Sequence, residues 1–566
     1  LNSQLLKRRS QPMNRNATNF FAQESTIDIN RSMWKTNHNH KTTFNNGQLI
    51  PFFIDTDILP AMTIKNRTAV LCRMSTPKYP VMDNLYLDTY YFKVPIWTIW
   101  KNWKAFNGEN ESGAWAQTTE YEVPVFKTEA DAMVQSGSLN DYFGIPVNVP
   151  DIEFNQFAVR AYCRVYNFWF RDQNLIAPLD YATSDDTITI DGTVLTGGTP
   201  AKVAKFHDYF SSCLPEPQKG SAVTTPLGTT APVIGNGMNI GLTDGNVNTG
   251  GFVRNVDSNS KGFLAGIGRA YGEENGTSYI PTATDYVMTG GNGFGITSDP
   301  TKSGMIVDLT NATAATINAL RLAFATQRIL EKDARFGTRY HEIIRGQFGV
   351  SSPQASLHVP EYLGGNRIPL NIETVLQNSS TTDESPLGQT GAFSVSFDIN
   401  NDFTKSFDEH CVLIGLCCIR ADHTYQQGLA RMWTRKRRLD YYWPSLAHIG
   451  NQPVYNYEIY AQGTAEDNEV FGYKEAWAEY KYKPNRISGE LRSTYAQSLD
   501  AWHYGDDYTS LPVLSQEWIE EPTDFVDRTL LVQSSVSNQF IADFEIEQEV
   551  AAPMPVHCTP GLIDHF

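Results

Sequence analysis

The sequence lacks the motifs by which common nucleotide-binding, hydrolytic and metal-dependent enzymes are recognised. Its 566 residues contain no G-x-x-x-x-G-K-[ST], no G-x-S-x-G and no H-E-x-x-H. None of the seven cysteines is spaced as C-x-x-C, and the eleven histidines are scattered along the chain. We therefore expect no enzymatic activity, no catalytic residues, no bound metal and no cofactor.

Charged residues are also scarce, at 19% of the chain, whereas 41% are hydrophobic and 12% aromatic. So much apolar surface excludes a globally disordered protein. No stretch approaches the length of apolar sequence that spans a membrane, and the N-terminus has no apolar region typical of a signal peptide. The cysteines lie mostly within apolar runs, which predicts buried free thiols in a protein made in a reducing cytoplasm.

Strand patterns dominate what is present. Thr68–Met74 and Leu85–Val94 are rich in aliphatic and aromatic residues and are bounded by proline. Phe540–Val550 alternates apolar with acidic residues, which predicts an antiparallel strand with one buried face and one acidic face. Together with abundant Gly, Pro, Asn, Thr and Ser, these patterns predict an all-β-dominated fold of short strands, many turns and long loops.

Two segments have helical periodicity instead. Apolar residues between Phe154 and Trp169 recur every three or four positions, as they do on one face of a helix. A second helix is predicted over Ala314–Phe336, with a wide apolar arc and a narrow basic ridge opposite. The ridge consists of Arg321, Arg328, Lys332 and Arg335. It is either an ordinary solvated face or a contact with phosphate or with an acidic neighbouring subunit.

Composition divides the chain into three regions. Residues 1–47 are polar and Asn-rich with scattered cations, which predicts an extended arm that needs other surfaces to become ordered. Residues 48–566 are expected to form a single domain with long insertions. Within this domain, residues 221–310 hold 17 of the 41 glycines and show few strand patterns, which indicates a long insertion between strands. The insertion is either a surface that contacts an external partner or a decoration without one.

Residues 431–443 (RMWTRKRRLDYYW) are strongly basic, whereas the net charge of the whole chain is −17. They combine five cations with four aromatic residues, namely Arg431, Trp433, Arg435, Lys436, Arg437, Arg438, Tyr441, Tyr442 and Trp443. Cations neutralise phosphate, and aromatic rings stack on bases of any kind, so the composition fits a sequence-independent contact with single-stranded nucleic acid. It equally fits a subunit interface in which the arginines pair with acidic faces.

Several longer strings resemble the major capsid proteins of gokushoviruses, in the microvirus family of small single-stranded DNA bacteriophages. They occur in the family's order over most of the chain, whereas residues 221–310 show no resemblance. The strings are Met82–Pro95, Trp103–Glu109, Tyr166–Asn174, Lys205–Gly220, Asp333–Tyr340, Glu361–Pro369, Thr424–Trp433, Tyr441–Gly450, Glu458–Gly472, Tyr480–Pro484 and Pro560–Phe566.

The resemblance implies an eight-stranded jelly-roll β-barrel with very long loops, sixty copies of which form a T=1 icosahedral shell. The shell would enclose a circular single-stranded DNA genome after assembly in the bacterial host cytoplasm. The variable insertion would form protrusions at the threefold axes and is a candidate for binding a host surface receptor. Other copies of the chain, a small basic DNA-binding protein, a scaffolding protein and a pilot protein would be its partners, and no membrane insertion is expected.

Two other classes of protein share the aromatic content and the turns. One is a large β-sandwich that binds or hydrolyses carbohydrate, which would be a monomer rather than a particle. The other is a phage spike or fibre protein, which would be a trimer. Assembly mass therefore separates both classes from a shell protein.

Overall fold

The computed structural model describes residues 29–110, 113, 119–224, 317–351, 359–379, 381 and 386–557, and six short strands between residues 233 and 307. The chain divides into two compact units. One comprises Leu1–Lys219 and Glu331–Phe566, and the other is Gly220–Leu330. The candidate site lies in the first unit.

Eight long strands build the first unit. In chain order they are β1 (Ser32–Phe44), β2 (Ile50–Ile58), β3 (Thr63–Met74), β4 (Leu85–Pro95), β5 (Glu361–Pro369), β6 (Ser396–Ser406), β7 (Cys411–Ala421) and β8 (Phe540–Ala552). They form two four-stranded sheets, sheet I in the order β1-β8-β3-β6 and sheet II in the order β5-β4-β7-β2. All the pairings are antiparallel. The predictions of an all-β-dominated fold and of strands within β3, β4 and β8 are confirmed.

The two sheets pack face to face over an apolar core. Phe52 of sheet II stacks on Phe544 of sheet I, with 4.6 Å between the ring centroids. Gly415 of β7 lies directly over this aromatic cluster, where a Cβ would come within 3.0 Å of Phe53, Phe52 and Tyr91. Absence of a side chain at this position therefore allows the large rings to fill the space between the sheets.

The two sheets differ on their other faces. β8 alternates buried and more exposed residues along its length, so sheet I presents one face to the core and one outward. β7 is buried at nearly every position. Its residues Val412, Ile414, Leu416 and Cys418 belong to a second core, where helix α1 (Phe157–Val165) and its π-helical continuation Tyr166–Phe170 cover sheet II. The predicted helix is thus confirmed from Phe157 onwards, whereas Phe154 lies in the short strand Glu153–Asn155. Burial on both faces accounts for the continuous apolar sequence of β7.

The remaining strands of the first unit are short. They are Val125–Lys127, Glu153–Asn155 and Ile188–Thr189 in one sheet, the pair Ile372–Leu376 and Thr390–Ser394, the parallel pair Thr424–Tyr425 and Gly505–Asp506, and the pair Asn451–Tyr455 and Val470–Glu475. Four single-turn helices are Trp103–Phe106, Leu139–Tyr142, Asn456–Ile459 and Gln516–Ile519. The six cysteines within the described residues are buried free thiols, as predicted; Cys558 lies outside the described residues.

Two helices follow the insertion. They are α2 (Ile317–Phe336), which confirms the second predicted helix, and α3 (Tyr340–Phe348). No helix that the structure describes is long and apolar enough to cross a membrane. In the second unit the described strands are Val233–Gly235, Ile240–Thr243, Gly251–Val253, Leu264–Ala265, Gly295–Ile296 and Met305–Val307. The rest of the expected insertion at 221–310 lies largely outside the described residues.

The structure differs from the expected arm at residues 1–47. Residues 1–28 lie outside the described residues, but Ser32–Phe44 is the edge strand β1 of sheet I. Its cations, which suggested a polar arm, lie opposite the acidic residues of β8: Lys35 is 2.7 Å from Glu549 and Lys41 is 2.9 Å from Asp543. The segment is ordered by its own chain, because β8 supplies both the hydrogen-bonding partner and the opposite charges.

Candidate nucleic-acid interface

The basic-aromatic segment 431–443 is a series of tight turns. It contains the 3₁₀ turns Arg431–Trp433 and Arg438–Asp440 and is followed by a third at Pro444–Leu446. The carboxylate of Asp440 accepts hydrogen bonds from the backbone N–H groups of Lys436 (2.9 Å) and Arg437 (2.7 Å). These bonds hold the pKa of Asp440 below its usual value, because they favour the charged carboxylate. The backbone between the cations is therefore fixed by a residue within the segment itself.

Two of the five cations pair with carboxylates of the same chain. Arg431 lies 3.2 Å from Glu458, and Arg435 lies 3.0 Å from Glu479. Their side chains are only 14% and 10% exposed. The Arg431 guanidinium also donates to the carbonyl oxygen of Pro453. Both arginines were predicted to contact nucleic acid, but here they hold the turns onto the strand and turns beneath them.

For both Arg431 and Glu458, burial and the oppositely charged neighbours shift the pKa in opposite directions. Burial raises the pKa of Glu458, although the neighbouring Arg431 opposes the shift. Burial alone would lower the pKa of Arg431, but Glu458 and Glu479 raise it overall. We take the pair as ionised, since the two side chains form a salt bridge and Glu458 also accepts from the backbone N–H of Tyr455 at 3.1 Å.

The other three cations, Lys436, Arg437 and Arg438, are exposed. None of the three forms a salt bridge with another residue that the structure describes. The Arg438 guanidinium lies over the ring of Trp443 at 4.6 Å, and the indole N–H of Trp443 donates to the Arg438 carbonyl oxygen at 3.0 Å. This contact orients Arg438 and leaves charge at the surface.

The predicted aromatic residues also remain accessible. Trp433 is 68% exposed, and Tyr441, Tyr442 and Trp443 are between 39% and 51% exposed. The backbone N–H of Tyr442 donates to the hydroxyl of Tyr480 at 3.0 Å. Large aromatic side chains are usually buried when they serve packing alone, so four accessible rings next to three exposed cations form a surface suited to binding.

The supporting residues were not identified from the sequence. Tyr480 lies under Arg435, with 4.3 Å between the guanidinium carbon and the ring centroid, and Trp477 packs edge-on against Tyr442. Together with Glu458 and Glu479, they come from the segment 451–480. No spacing rule connects that segment to 431–443; the only signal was that part of it lies in strings shared with the gokushovirus family.

The basic ridge of α2 has a different environment. Arg321 and Arg328 are exposed, Lys332 is half-buried, and Arg335 donates two hydrogen bonds to Oδ1 of Asn451, at 3.1 and 2.6 Å. Asn451 begins the strand that carries Pro453, the acceptor of Arg431. The last residue of the ridge and the first of the basic-aromatic segment thus contact the same strand.

Within the ranges that the structure describes, no three His, Cys, Asp or Glu side chains are grouped so that they could hold a metal ion.

The family described as Capsid protein (F protein) matches residues 22–562 of the chain. The chain is similar to Capsid protein VP1 of Bdellovibrio phage phiMH2K, at 38% identity over 557 residues covering 96% of this chain and 98% of that protein. It is also similar to Capsid protein VP1 of Chlamydia phage 1, at 37% identity with 96% and 98% covered. Capsid protein VP1 of Spiroplasma virus 4 is 38% identical, with 94% and 97% covered.

Proposed function

The chain belongs to the phage capsid protein (F protein) family, and we propose roles in the viral shell for its sheets, its basic-aromatic segment and its insertion. It is a structural protein of the virion that assembles with other copies of itself into a capsid. This family is a class of structural proteins and not of enzymes.

Sheets I and II would be the two sheets of an eight-stranded jelly roll. Support comes from the nesting of the pairs: β1 bonds to β8, β2 to β7, β3 to β6 and β4 to β5. This is the pattern of one long hairpin rolled into a barrel. The connections from β4 to β5 and from β7 to β8 would be the long loop insertions.

The assembled shell would contain sixty copies in a T=1 icosahedral arrangement around a circular single-stranded DNA genome. Support comes from the family resemblance together with the requirement that a closed shell repeat the same surfaces on every copy. Electron microscopy of purified particles tests this directly. Small particles with icosahedral symmetry are expected, and trimers or monomers of the chain would contradict the proposal and favour the spike or carbohydrate-binding alternatives.

The basic-aromatic segment would contact the packaged DNA on the inner surface of the shell. The observation that carries this proposal is the set of three exposed cations, Lys436, Arg437 and Arg438, beside accessible aromatic rings in a chain of net charge −17. Phosphates would contact the cations, while bases would stack on Trp433 and Tyr441, a mode that accepts any sequence. Arg431 and Arg435 would act only by fixing the turns.

A triple variant, Lys436→Gln, Arg437→Gln and Arg438→Gln, tests this assignment. The DNA content per assembled particle should fall, and binding of the isolated protein to single-stranded DNA should weaken. Each lost phosphate contact makes the negative slope of log K against log salt shallower by about 0.7, so the slope of the triple variant should be shallower by roughly 2. Folding should be unchanged, since the three side chains are exposed.

A matched control removes the same charge elsewhere, through Lys101→Gln, Lys202→Gln and Lys483→Gln, three exposed lysines outside the segment. The control should package DNA normally. If the triple variant in the segment packages DNA with the same salt dependence as wild type, the segment does not bind the genome. If the control loses DNA equally, the effect is one of net charge and the segment has no special role.

Other partners implied by the resemblance are a small basic DNA-binding protein, a scaffolding protein, a pilot protein and a host receptor. We assign the receptor contact to the insertion 221–310, projecting from the shell at the threefold axes, because the region around it forms a compact unit of its own and is rich in glycine. Limited proteolysis of intact particles should cut the insertion first. Complete protection would contradict its outward projection.

A further inference from the structure

The outward face of sheet I is exposed although its other face is part of the core. Along β3, inward residues such as Ile64 and Cys72 are fully buried, whereas outward residues alternate with them at the surface. The outward face also carries large apolar side chains: Phe397 is 63%, Ile541 57% and Ile399 45% exposed. Apolar side chains clustered on one sheet face are typical of an interaction surface.

One half of this face carries charges that are already paired. Glu549 of β8 lies between Lys35 of β1 (2.7 Å) and Lys65 of β3 (3.3 Å), and Arg67 is 3.2 Å from Glu547. These side chains are roughly 40–80% exposed, so the pairs add little to stability. Across the whole outward face the cations Lys35, Lys41, Lys65, Arg67 and Arg73 stand beside the anions Asp543, Glu545, Glu547 and Glu549. Because the net charge of the face is small, it offers little attraction for a polyanion such as DNA.

The other half carries a cluster of apolar side chains beside the ion pair of Lys41 and Asp543. Phe397 of β6 is paired in register with Leu71 of β3, and Ile399 is paired with Ala69. Ile541 of β8 lies opposite Arg73, next to Leu71 along the same side of the sheet. Because β6 is an edge strand of sheet I, this apolar cluster reaches the border of the sheet, where another molecule can approach it.

We propose that the outward face of sheet I is an interface with a second copy of this chain. Four strands of up to 13 residues cover roughly 800 Å² at the usual strand spacing and rise, about the area that each partner contributes to a stable interface. An apolar cluster flanked by charged side chains of both signs matches the ordinary composition of such interfaces. A capsid chain meets copies of itself in the shell, and this assignment is independent of the proposed DNA contact.

The test uses Phe397→Glu in the full chain, with Phe397→Leu as the matched control. Because Phe397 is exposed, both variants should fold with the circular dichroism and melting temperature of wild-type subunits. The association of Phe397→Glu subunits should weaken by at least about tenfold, since a charge replaces a large, exposed aromatic contact. The Phe397→Leu variant should assemble into particles at close to the wild-type yield.

A second measurement applies even if the glutamate variant fails to fold. Phe397→Cys places a thiol within the apolar cluster, and the six described cysteines of the chain are buried. A maleimide reagent should label this thiol rapidly in isolated subunits and at least about tenfold more slowly in intact particles.

Three results would overturn the proposal. One is wild-type particle yield from the glutamate variant. Another is equal labelling of Phe397→Cys in subunits and particles. The third is normal assembly of the glutamate variant into particles that lack DNA or another virion protein, since the face would then bind that component and not a second copy.

Discussion

Replacing His423 should destabilise the subunit more than any change at its surface. The imidazole is almost completely buried, with Nδ1 at 3.1 Å from both carboxylate oxygens of Asp506 and Nε2 at 2.9 Å from Glu521. Both ring nitrogens face carboxylates, which accept hydrogen bonds, so both must carry a proton. His423 is therefore an imidazolium between two buried anions.

The energetic consequence follows from the pKa. Burial alone would lower the pKa of His423, but Asp506 and Glu521 raise it from 6.5 to about 10. A pKa difference of this size between the folded and unfolded states corresponds to about 5 kcal/mol in the free energy of unfolding. Removing one partner from a buried ion pair costs about 3–5 kcal/mol. We therefore expect His423→Gln to lower the free energy of unfolding by about 3–5 kcal/mol.

The pH dependence has a definite sign. Because the folded pKa is raised, the contribution of His423 is fully present below pH 6.5 and is lost as the pH rises through about 10. Burial would raise the pKa values of Asp506 and Glu521, but the imidazolium lowers them overall, so their contributions are present near neutral pH and are lost in acid. Melting temperatures of unassembled subunits, measured from pH 6 to 10, should converge between wild type and His423→Gln as the pH rises.

A triple variant that combines His423→Gln with Asp506→Asn and Glu521→Gln serves as the control. It removes the cation and both anions together, so it should be more stable than His423→Gln alone. A loss of less than about 1 kcal/mol in His423→Gln, or a constant difference from wild type over the whole pH range, would refute the assignment of a buried imidazolium.

Three further changes should act through packing, backbone geometry and charge. Phe544→Ala removes a fully buried ring from the core between the sheets and should cost about 3–5 kcal/mol in urea unfolding; a cost below about 1 kcal/mol would contradict close packing there. Gly47→Ala should destabilise by more than about 1 kcal/mol, because φ is +76° and a Cβ would lie 2.5 Å from the carbonyl oxygen of Glu521; a neutral result in thermal unfolding would contradict this geometry. Glu479→Gln leaves Arg435 buried without its partner and should cost about 3 kcal/mol, whereas an unchanged melting temperature would show that the pair is dispensable.

The strands and helices that the sequence predicted are those whose pattern is local. β8 was recognisable because apolar and acidic residues alternate over Phe540–Val550, and the structure extends it only to Ala552. The helix between Phe154 and Trp169 was recognisable from its three- and four-residue spacing, although its last turn, Tyr166–Phe170, is π-helical. Periodicity is visible within one segment, so neither element required knowledge of a distant partner.

β1 was missed for the opposite reason. Its sequence, SMWKTNHNHKTTF, is polar on both sides and shows no apolar alternation, so composition alone indicated an arm. Its order depends on β8, at the other end of the chain, which supplies acidic residues opposite Lys35 and Lys41. The same limit applies to the basic-aromatic segment: the cluster of cations was visible, but the distinction between paired Arg435 and exposed Arg438 depends on Glu479, 44 residues away.

The two sheets show how much a strand pattern can reveal about assembly. β7 is apolar at consecutive positions because the core lies on one side of it and α1 covers the other. In β8, buried and more exposed residues alternate. No helix or sheet among the described residues of the subunit covers its outward face, where acidic residues pair with cations of β1 and β3. A strand that the same chain covers on both faces is therefore apolar at consecutive positions. A strand with one face uncovered within the subunit keeps the alternation of apolar and polar residues. A strand of these sheets that alternates yet carries large apolar residues outward, as β6 does with Phe397 and Ile399, should therefore mark a surface completed by another copy and not by the chain itself.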